Sequence, residues 1–555
     1  VTSADARAAP GSGWRRAALA AYVVLTIFAH PQRIGGIVID GGLVLGPVSV
    51  AALLVGIAGG TPRRAARDAF FAAWLAHAGI LHWIWIVTVR YGGATDALGV
   101  LAVLALATYP AAATAGVAAA VRWLAARDAA GPIVVAALFV LGDHLQSFVA
   151  SGFPWSLLGY TQLEDPGLLP WARVGGVYAV GFGAALGGAL VAAAVVAVSR
   201  GRPLGARVRR GAVVWVALHA VGLGLGATAG APSGPVVRVA ALQGSFEQGL
   251  KWSRERYSRT LEVYETLTRR AAAEGATLIA WPETAVPGPI ELDPEAAGRV
   301  EDLARRTGAT LVVGAVGIRP TPDGRAVAAW YDSAFLVEPD GRWAGRYDKS
   351  HLVPFGEYVP FRAVLGRLVG AIARGAAPLD VSAGREPVAL SVRLETAAAG
   401  AASSVRVGVP ICYELLFPDR VRRFVDDGAQ VLVAITNDAW YGRTGAPHQF
   451  LAITAMRAAE TGVALVRAAN TGVSGLIDET GRVQAQSGLF ERGYVIGDVR
   501  LAGTTAPTFY ARHGDRFVQA CWAGAAWVVV RALRRRRDDG TQVDSGSGVA
   551  PRPAA

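Results

Sequence analysis

Hydrophobic and polar positions fall into two textures along this chain. Between residues 17 and 237, seven stretches contain no Asp, Glu, Lys or Arg: 17–32, 41–61, 69–89, 97–121, 129–142, 174–199 and 211–237. Crossing about 30 Å of hydrocarbon takes roughly 20 apolar residues, so most of these are long enough, and the fifth suffices if its helix runs on past Asp143. They predict seven transmembrane helices in a membrane domain of residues 17–235. An eighth stretch, 517–533, is short and relies on Arg516 and Arg531 to snorkel at its ends. The first leads into six more, so it reads as a retained helix and not a cleaved signal peptide.

From 236 to 510 the texture changes to alternating strands and helices. Strands are expected at 236–242, 277–281, 310–316, 331–337, 388–394, 405–411, 430–436, 463–468 and 472–478. Helices are expected at 253–274, where Leu261, Tyr264 and Leu267 recur at helical spacing, and at 294–307, 419–426 and 448–460. About 270 residues of this kind can bury a two-layer α/β core without help from the membrane. Residues 534–555 begin with four arginines and turn polar and rich in Pro, Gly and Ser, which reads as a disordered tail.

Composition supports a membrane protein, with 53% hydrophobic and 17% charged residues and a mean hydropathy of +0.36. A net charge of +12 would suit nucleic-acid binding, but the distribution of the arginines argues otherwise. Arg15 and Arg16 precede the first stretch; Arg63, Arg64 and Arg67 follow the second, Arg122 and Arg127 the fourth, and Arg200, Arg202, Arg207, Arg209 and Arg210 the sixth. The loops between hold Arg33, Arg90 or, over 151–170, no basic residue. Cytoplasmic loops collect Lys and Arg, so residues 1–16 and every second loop are expected inside, the 236–510 domain outside, and the 534–537 cluster inside again. Topology and anionic headgroups account for the charge, and no nucleic acid is expected. The two cysteines, Cys412 and Cys521, fall in different regions, so no disulfide is expected and Cys521 reads as a small buried apolar residue.

Cys412 closes the apolar run 405–411 and is followed by Tyr413 and Glu414, the pattern of a nucleophile at a sharp strand-to-helix corner. Glu283 follows Trp281-Pro282 at the end of another apolar run, where proline ends the ladder and puts the carboxylate at a cleft rim. Lys349 lies in the dense segment 347–357 with His351, Phe355 and Glu357. A carboxylate, an ammonium and a thiol, each at a strand end, form a coherent set of base, charge stabiliser and nucleophile for acyl transfer, with no metal or cofactor required. Glu357 would orient Lys349 or tune it, with a structural salt bridge as the alternative. Asn437, opening Asn437-Asp438-Ala439-Trp440, would bring a polar group and an aromatic to the same cleft. A Cys412–His351 dyad finds no supporting second His or Asn pattern.

These motifs resemble those of the nitrilase, or carbon-nitrogen hydrolase, superfamily. The resemblance rests on Leu242-Gln243-Gly244 with Lys251-Trp252, on Trp281-Pro282-Glu283-Thr284, on 347–360, on Ile411-Cys412-Tyr413-Glu414 and on 437–440. With the membrane stretches, and with Gly152-Phe153-Pro154-Trp155 and Gly159-Tyr160, it extends to the apolipoprotein N-acyltransferase family. That family carries a Glu and, three residues on, an Arg before this loop, whereas Asp143 and Gln146 stand here. The resemblance implies an α-β-β-α sandwich beside a multi-span helical domain in a bacterial inner membrane, acting as a monomer. It implies a Glu283-Lys349-Cys412 triad supported by Glu357, Tyr413, Glu414 and Asn437, with Trp252, Phe355, Tyr358, Phe361 and Trp440 receiving acyl chains. The partners implied are a phospholipid acyl donor, a diacylglyceryl apolipoprotein acceptor and membrane lipids, with Cys412 carrying the acyl group as a thioester. A membrane-anchored amidase acting on a small amide would keep the triad but has no need of seven leading spans.

Overall fold

The computed structural model describes residues 12–228, 234–247, 254–359, 381–395, 402–503 and 507–544. Each of the seven N-terminal apolar stretches houses a helix: α1 Ser12–Phe28, α2 Gly42–Gly56, α3 Pro62–Ile80, α4 Asp96–Ala125, α5 Pro132–Leu145, α6 Ala172–Ser199 and α7 Ala206–Thr228. Segments 96–125, 169–199 and 206–228 are long and apolar enough to cross a membrane unaided, while α2 and α5 are shorter apolar helices. α5 does run past Asp143, and there Asp143 has a local task. Its Oδ2 accepts from Leu158 N at 3.1 Å and its Oδ1 from Gln146 Nε2 at 3.4 Å, tying the loop after α5 back onto the helix.

Two features of this half are not visible as apolar runs. A hairpin, β1 Gln32–Ile34 and β2 Ile37–Ile39, joins α1 to α2 through Gly35 and Gly36, both with positive φ. α6 is broken at Gly175 and Gly176; the latter has φ +64°, and a Cβ there would meet the Tyr510 ring at 2.8 Å.

The α/β domain carries two sheets. In the seven-stranded sheet the order is β15 (Gly493–Arg500), β3 (Val236–Gln243), β4 (Leu278–Ala280), β6 (Thr310–Pro320), β7 (Val327–Val337) and β8 (Trp343–Asp348), with β5 (Val286–Pro289) also paired to β6. The other runs β14 (Val483–Gln486), β13 (Gly475–Ile477), β12 (Leu465–Ala469), β11 (Val431–Thr436), β10 (Ala402–Gly408) and β9 (Leu390–Glu395). Helices α8 (Arg254–Ala273) and α9 (Pro294–Thr307) cover the first sheet, burying Leu261, Tyr264 and Leu267 against Ile279 and Trp281. Helices Pro418–Asp426 and Ala446–Thr461 cover the second, giving the expected α-β-β-α sandwich. The two are not alike: Pro418–Asp426 buries one face, whereas nearly every residue of Ala446–Thr461 is buried, because its outer face packs on α6 of the membrane half.

The last helix, Arg516–Asp544, corrects the reading of 534–555 as a disordered tail, since it continues through the arginine run to residue 544. Arginine is a good helix former and the run has no proline to stop it; residues 545–555 lie outside the described residues.

Candidate active site

Cys412 sits at the expected corner, tightened. β10 ends at Gly408, Ile411 makes a single bridge to Ile435, and Cys412, at φ +48°, opens the 3-10 turn Cys412–Leu416. A left-handed backbone at a residue with a Cβ costs about 1–3 kcal/mol and persists only where surroundings enforce it. Enforcement comes from Glu414, wholly buried two residues on. Its Oε2 accepts from Ile411 N at 2.9 Å, while Oε1 accepts from Tyr347 Oη at 2.6 Å, Ser350 N at 2.8 Å, Ser350 Oγ at 2.7 Å and His351 N at 3.2 Å. One carboxylate thereby fastens the cysteine turn to the segment that carries Lys349.

Glu283 leaves the end of β4 with Trp281 N bonded to Val312 O at 2.8 Å and with Thr284 also left-handed, at φ +48°. Gly314 on β6 is what lets this loop approach: a Cβ there would lie 2.1 Å from Pro282 O. Lys349 follows β8 directly, and its backbone N donates to Asp332 O at 2.9 Å. Its side chain has no exposed surface. Nζ donates to Glu357 Oε1 at 2.5 Å, Glu283 Oε1 at 3.1 Å and Asp332 Oδ2 at 3.4 Å, and Glu357 is itself held by Val353 N at 2.9 Å. The three carboxyl groups could hold a metal ion by spacing alone, but the ammonium already stands among them as their cation.

The electrostatics separate the roles. Burial would lower the Lys349 ammonium, yet Glu283, Glu357 and Asp332 hold it well above its ordinary value, so it stays charged. Burial would raise Glu283, but Lys349 and hydrogen bonds from Asp332, Lys349 and Cys412 bring it below the usual carboxylate range. Burial, with the Glu283 charge adding to it, pushes the Cys412 thiol well up. The resting site is thus a neutral thiol hydrogen-bonded to an ionised base beside a fixed positive charge.

Other expected residues are distributed as follows. Tyr413 donates from Oη to Gly152 O at 3.0 Å, tying the Cys412 turn to the membrane half. Asn437 accepts from Asn470 Nδ2 at 3.0 Å. His351 stacks on Tyr413, ring centroids 5.7 Å apart, and against Phe417, and burial lowers it to about 4, so it is a neutral packing element. Phe355 is half exposed at φ +64°, with Tyr358 O accepting its N–H. Trp440 meets Tyr91 edge-on at 5.4 Å. Trp252 and Phe361 lie outside the described residues.

Sequence reasoning missed Asp332, which sits in mid-strand with nothing in its neighbours to mark it. It also missed the aromatic cluster of Trp83, Trp155, Tyr441 and Phe450, where Trp155 and Tyr441 rings lie 5.6 Å apart and Trp155 donates to Gln449 at 2.7 Å. The signal was partial: Trp155 stood in a quoted motif, and Tyr441 followed Trp440.

Two family descriptions match separate parts of the chain, carbon-nitrogen hydrolase over residues 238–507 and apolipoprotein N-acyltransferase N-terminal domain over 41–190. An apolipoprotein N-acyltransferase from Geobacter metallireducens is 36% identical over 498 residues, 88% of this chain and 91% of that one. Another from Methylococcus capsulatus is 33% identical over 523 residues, 91% of this chain and 95% of its own. A solved amidase from Nesterenkonia sp. covers 53% of this chain and 100% of its own at 19% identity and a TM-score of 0.36.

Proposed function

The chain belongs to the apolipoprotein N-acyltransferase family, and from that premise we propose that Cys412, Glu283 and Lys349 carry its acyl transfer through a thioester. It is an acyltransferase, and the donor we assign is a membrane phospholipid, the acceptor the N-terminal amine of a diacylglyceryl-cysteine apolipoprotein. In the first half-reaction Glu283 takes the Sγ proton as sulfur bonds to the ester carbonyl carbon. The carbonyl oxygen becomes an oxyanion facing the Lys349 ammonium, a preorganised charge of the kind worth about 3 kcal/mol or more. Collapse breaks the ester bond, and the departing glycerol oxygen takes the proton from Glu283, leaving lysophospholipid and an acyl-Cys412 thioester. In the second half the acceptor amine attacks, Glu283 takes its proton, and sulfur leaves and is reprotonated from Glu283. The observation that carries this reading is Lys349 Nζ, without exposed surface, between Glu283 and Glu357 beside a buried thiol bonded to Glu283.

The seven leading helices span the inner membrane, the 236–510 domain faces the extracytoplasmic side, and one copy suffices. Support for this orientation comes from the alternating arginine loops. The exposed Phe355 and the half-buried Tyr358 and Trp440 supply apolar surface for acyl chains. In intact cells a cysteine in place of exposed Asp323 should label from outside and one placed after Arg537 should not; the reverse pattern rejects the orientation.

Intact-mass measurement of the enzyme incubated with phospholipid and no acceptor tests the chemistry. One acyl group, stable to mild acid and released by neutral hydroxylamine, is expected, and none on Cys412→Ala. An unloaded enzyme that nonetheless acylates apolipoprotein excludes the two-step scheme, and ammonia release from a small amide without lysophospholipid formation would identify a hydrolase instead.

A further inference from the structure

Three carboxyl groups surround one ammonium, and the scheme above uses two of them. The third, Asp332, lies inside β7 opposite Val316 and is 7% exposed. Its backbone carbonyl accepts from Lys349 N at 2.9 Å and its Oδ2 from Lys349 Nζ at 3.4 Å, so it holds the lysine at both ends. One oxygen of its side chain lies within 4.8 Å of an oxygen of Glu283 and of Glu357, and a hydrogen bond between the Asp332 and Glu283 carboxyls lowers Glu283 and raises Asp332. Two carboxylates make such a bond only if one carries a proton. Among the described residues no donor points at Asp332 Oδ1, as expected of an oxygen that bears the hydrogen itself. Charge leads to the same place: Glu283, Asp332 and Glu357 all ionised against Lys349 would leave two uncompensated negative charges in a dry site, which like-charge repulsion and desolvation both oppose.

We propose that Asp332 is a positioning residue, held as the neutral acid, whose O–H donates to Glu283 and keeps that carboxylate ionised and aimed at the Cys412 thiol. The charged groups facing it are Glu283 from the turn after β4, Lys349 from the end of β8 and Glu357 from the loop beyond. Burial, and then the Glu283 charge, hold its carboxyl well above the usual range, with Lys349 opposing. During each half-reaction one proton enters and leaves Glu283, while Asp332 keeps its own. When alkaline solution removes the Asp332 proton, a second negative charge appears beside Glu283, and the thiol becomes harder to ionise.

The inference rests on Glu283 serving as base to Cys412, as proposed above, but not on what Cys412 attacks, so iodoacetamide can probe it. In the full-length Cys521→Ala protein in detergent, alkylation of Cys412 is followed by intact mass from about pH 6 to about pH 10. Asp332→Asn keeps a donor toward Glu283 and cannot ionise. It should alkylate within about threefold of the parent near neutrality, and its rise should come about one pH unit lower. Asp332→Ala loses the donor and should be slower by about tenfold near neutrality. A midpoint for Asp332→Asn that coincides with the parent's, or Asp332→Ala alkylating at the parent's rate, overturns the assignment. Acyl loading of the same proteins from phosphatidylethanolamine–phosphatidylglycerol vesicles separates the two ideas: a parent that shows these alkylation shifts but never loads would sink the acyl-transfer reading and leave Asp332 in place.

Discussion

Lys349 and Arg457 are both cations without exposed surface, and their surroundings differ in kind. Three carboxyl groups meet Lys349. Arg457, on the helix Ala446–Thr461, meets one, Glu460 at 3.0 Å, together with Tyr160 Oη at 3.3 Å, and its Nε and Nη1 have no hydrogen-bond partner among the described residues. Glu460 Oε1 also accepts from Val177 N at 2.7 Å, capping the second half of α6 just past its break. The first cluster over-supplies one cation with negative charge and so has a base to spare. The second matches one charge with one, and the same carboxylate oxygen that faces Arg457 also takes a backbone amide of the other domain. A buried ion pair is in itself weak grounds for stability; what distinguishes these two is whether the surplus is a proton acceptor or a capping group.

Removing the surplus-charged centre should have the largest effect on chemistry and little on folding. Lys349→Met or Glu283→Gln should slow acyl loading at least about a hundredfold, because a preorganised charge or base is lost, while gel filtration in detergent stays unchanged. Near-normal loading in either variant would mean that the roles are misassigned. The junction should behave oppositely. Glu460→Ala leaves Arg457 buried without its partner and Val177 N–H uncapped, at a cost of about 3 kcal/mol in stability. Glu460→Gln keeps an acceptor for Val177 and should cost less, so equal melting temperatures for the two variants would remove the capping role.

A smaller effect is expected where the active site depends on one hydrogen atom. Gly314→Ala puts a Cβ against Pro282 O and must displace the Glu283 loop; a loss of about tenfold in loading with modest change in melting is expected. Unaltered loading would show that the loop moves without consequence. The last effect concerns pH. Burial pushes the Glu460 carboxyl up from 4.5 to about 7, so between those values the folded chain binds a proton that the unfolded chain has released. Stability from this group therefore falls as pH rises through that window. Melting temperature should decline from about pH 4.5 to about pH 7, and the decline should vanish in Glu460→Gln; a decline of the same size in both would assign it elsewhere.

How much of this was legible follows from where each residue stands. Glu283 and Cys412 each close an apolar run, and a polar residue that ends a buried strand is conspicuous. Lys349 was found from its crowded segment, although β8, which delivers it, was not seen: Trp343–Asp348 mixes Gly, Arg and Asp and lacks a clean alternation. Asp332 was invisible because a single acid in an otherwise apolar strand looks the same whether it points to solvent or to a lysine seventeen residues later. The break in α6 was hidden for a related reason. Gly175 and Gly176 fall inside an uninterrupted apolar stretch, and hydrophobicity alone does not distinguish a straight helix from two halves. Glu460 was read as the end of a helix, which it nearly is, with no hint that its partner lies across the domain boundary.

The helix Ala446–Thr461 and its flanks reach four separate points of the membrane half: Gln449 to Pro31 O and to Trp155, Arg457 to Tyr160, and Glu460 to Val177. Anyone hoping to graft a different hydrolase onto this membrane base would therefore gain little by cutting at the obvious linkers before Val236 and after Arg500. The donor would have to arrive with this helix's outward-facing side chains rewritten, or the recipient's loops would be left without their anchors. Modularity in this chain is a property of its sheets and ends at that helix and at the Tyr413 turn.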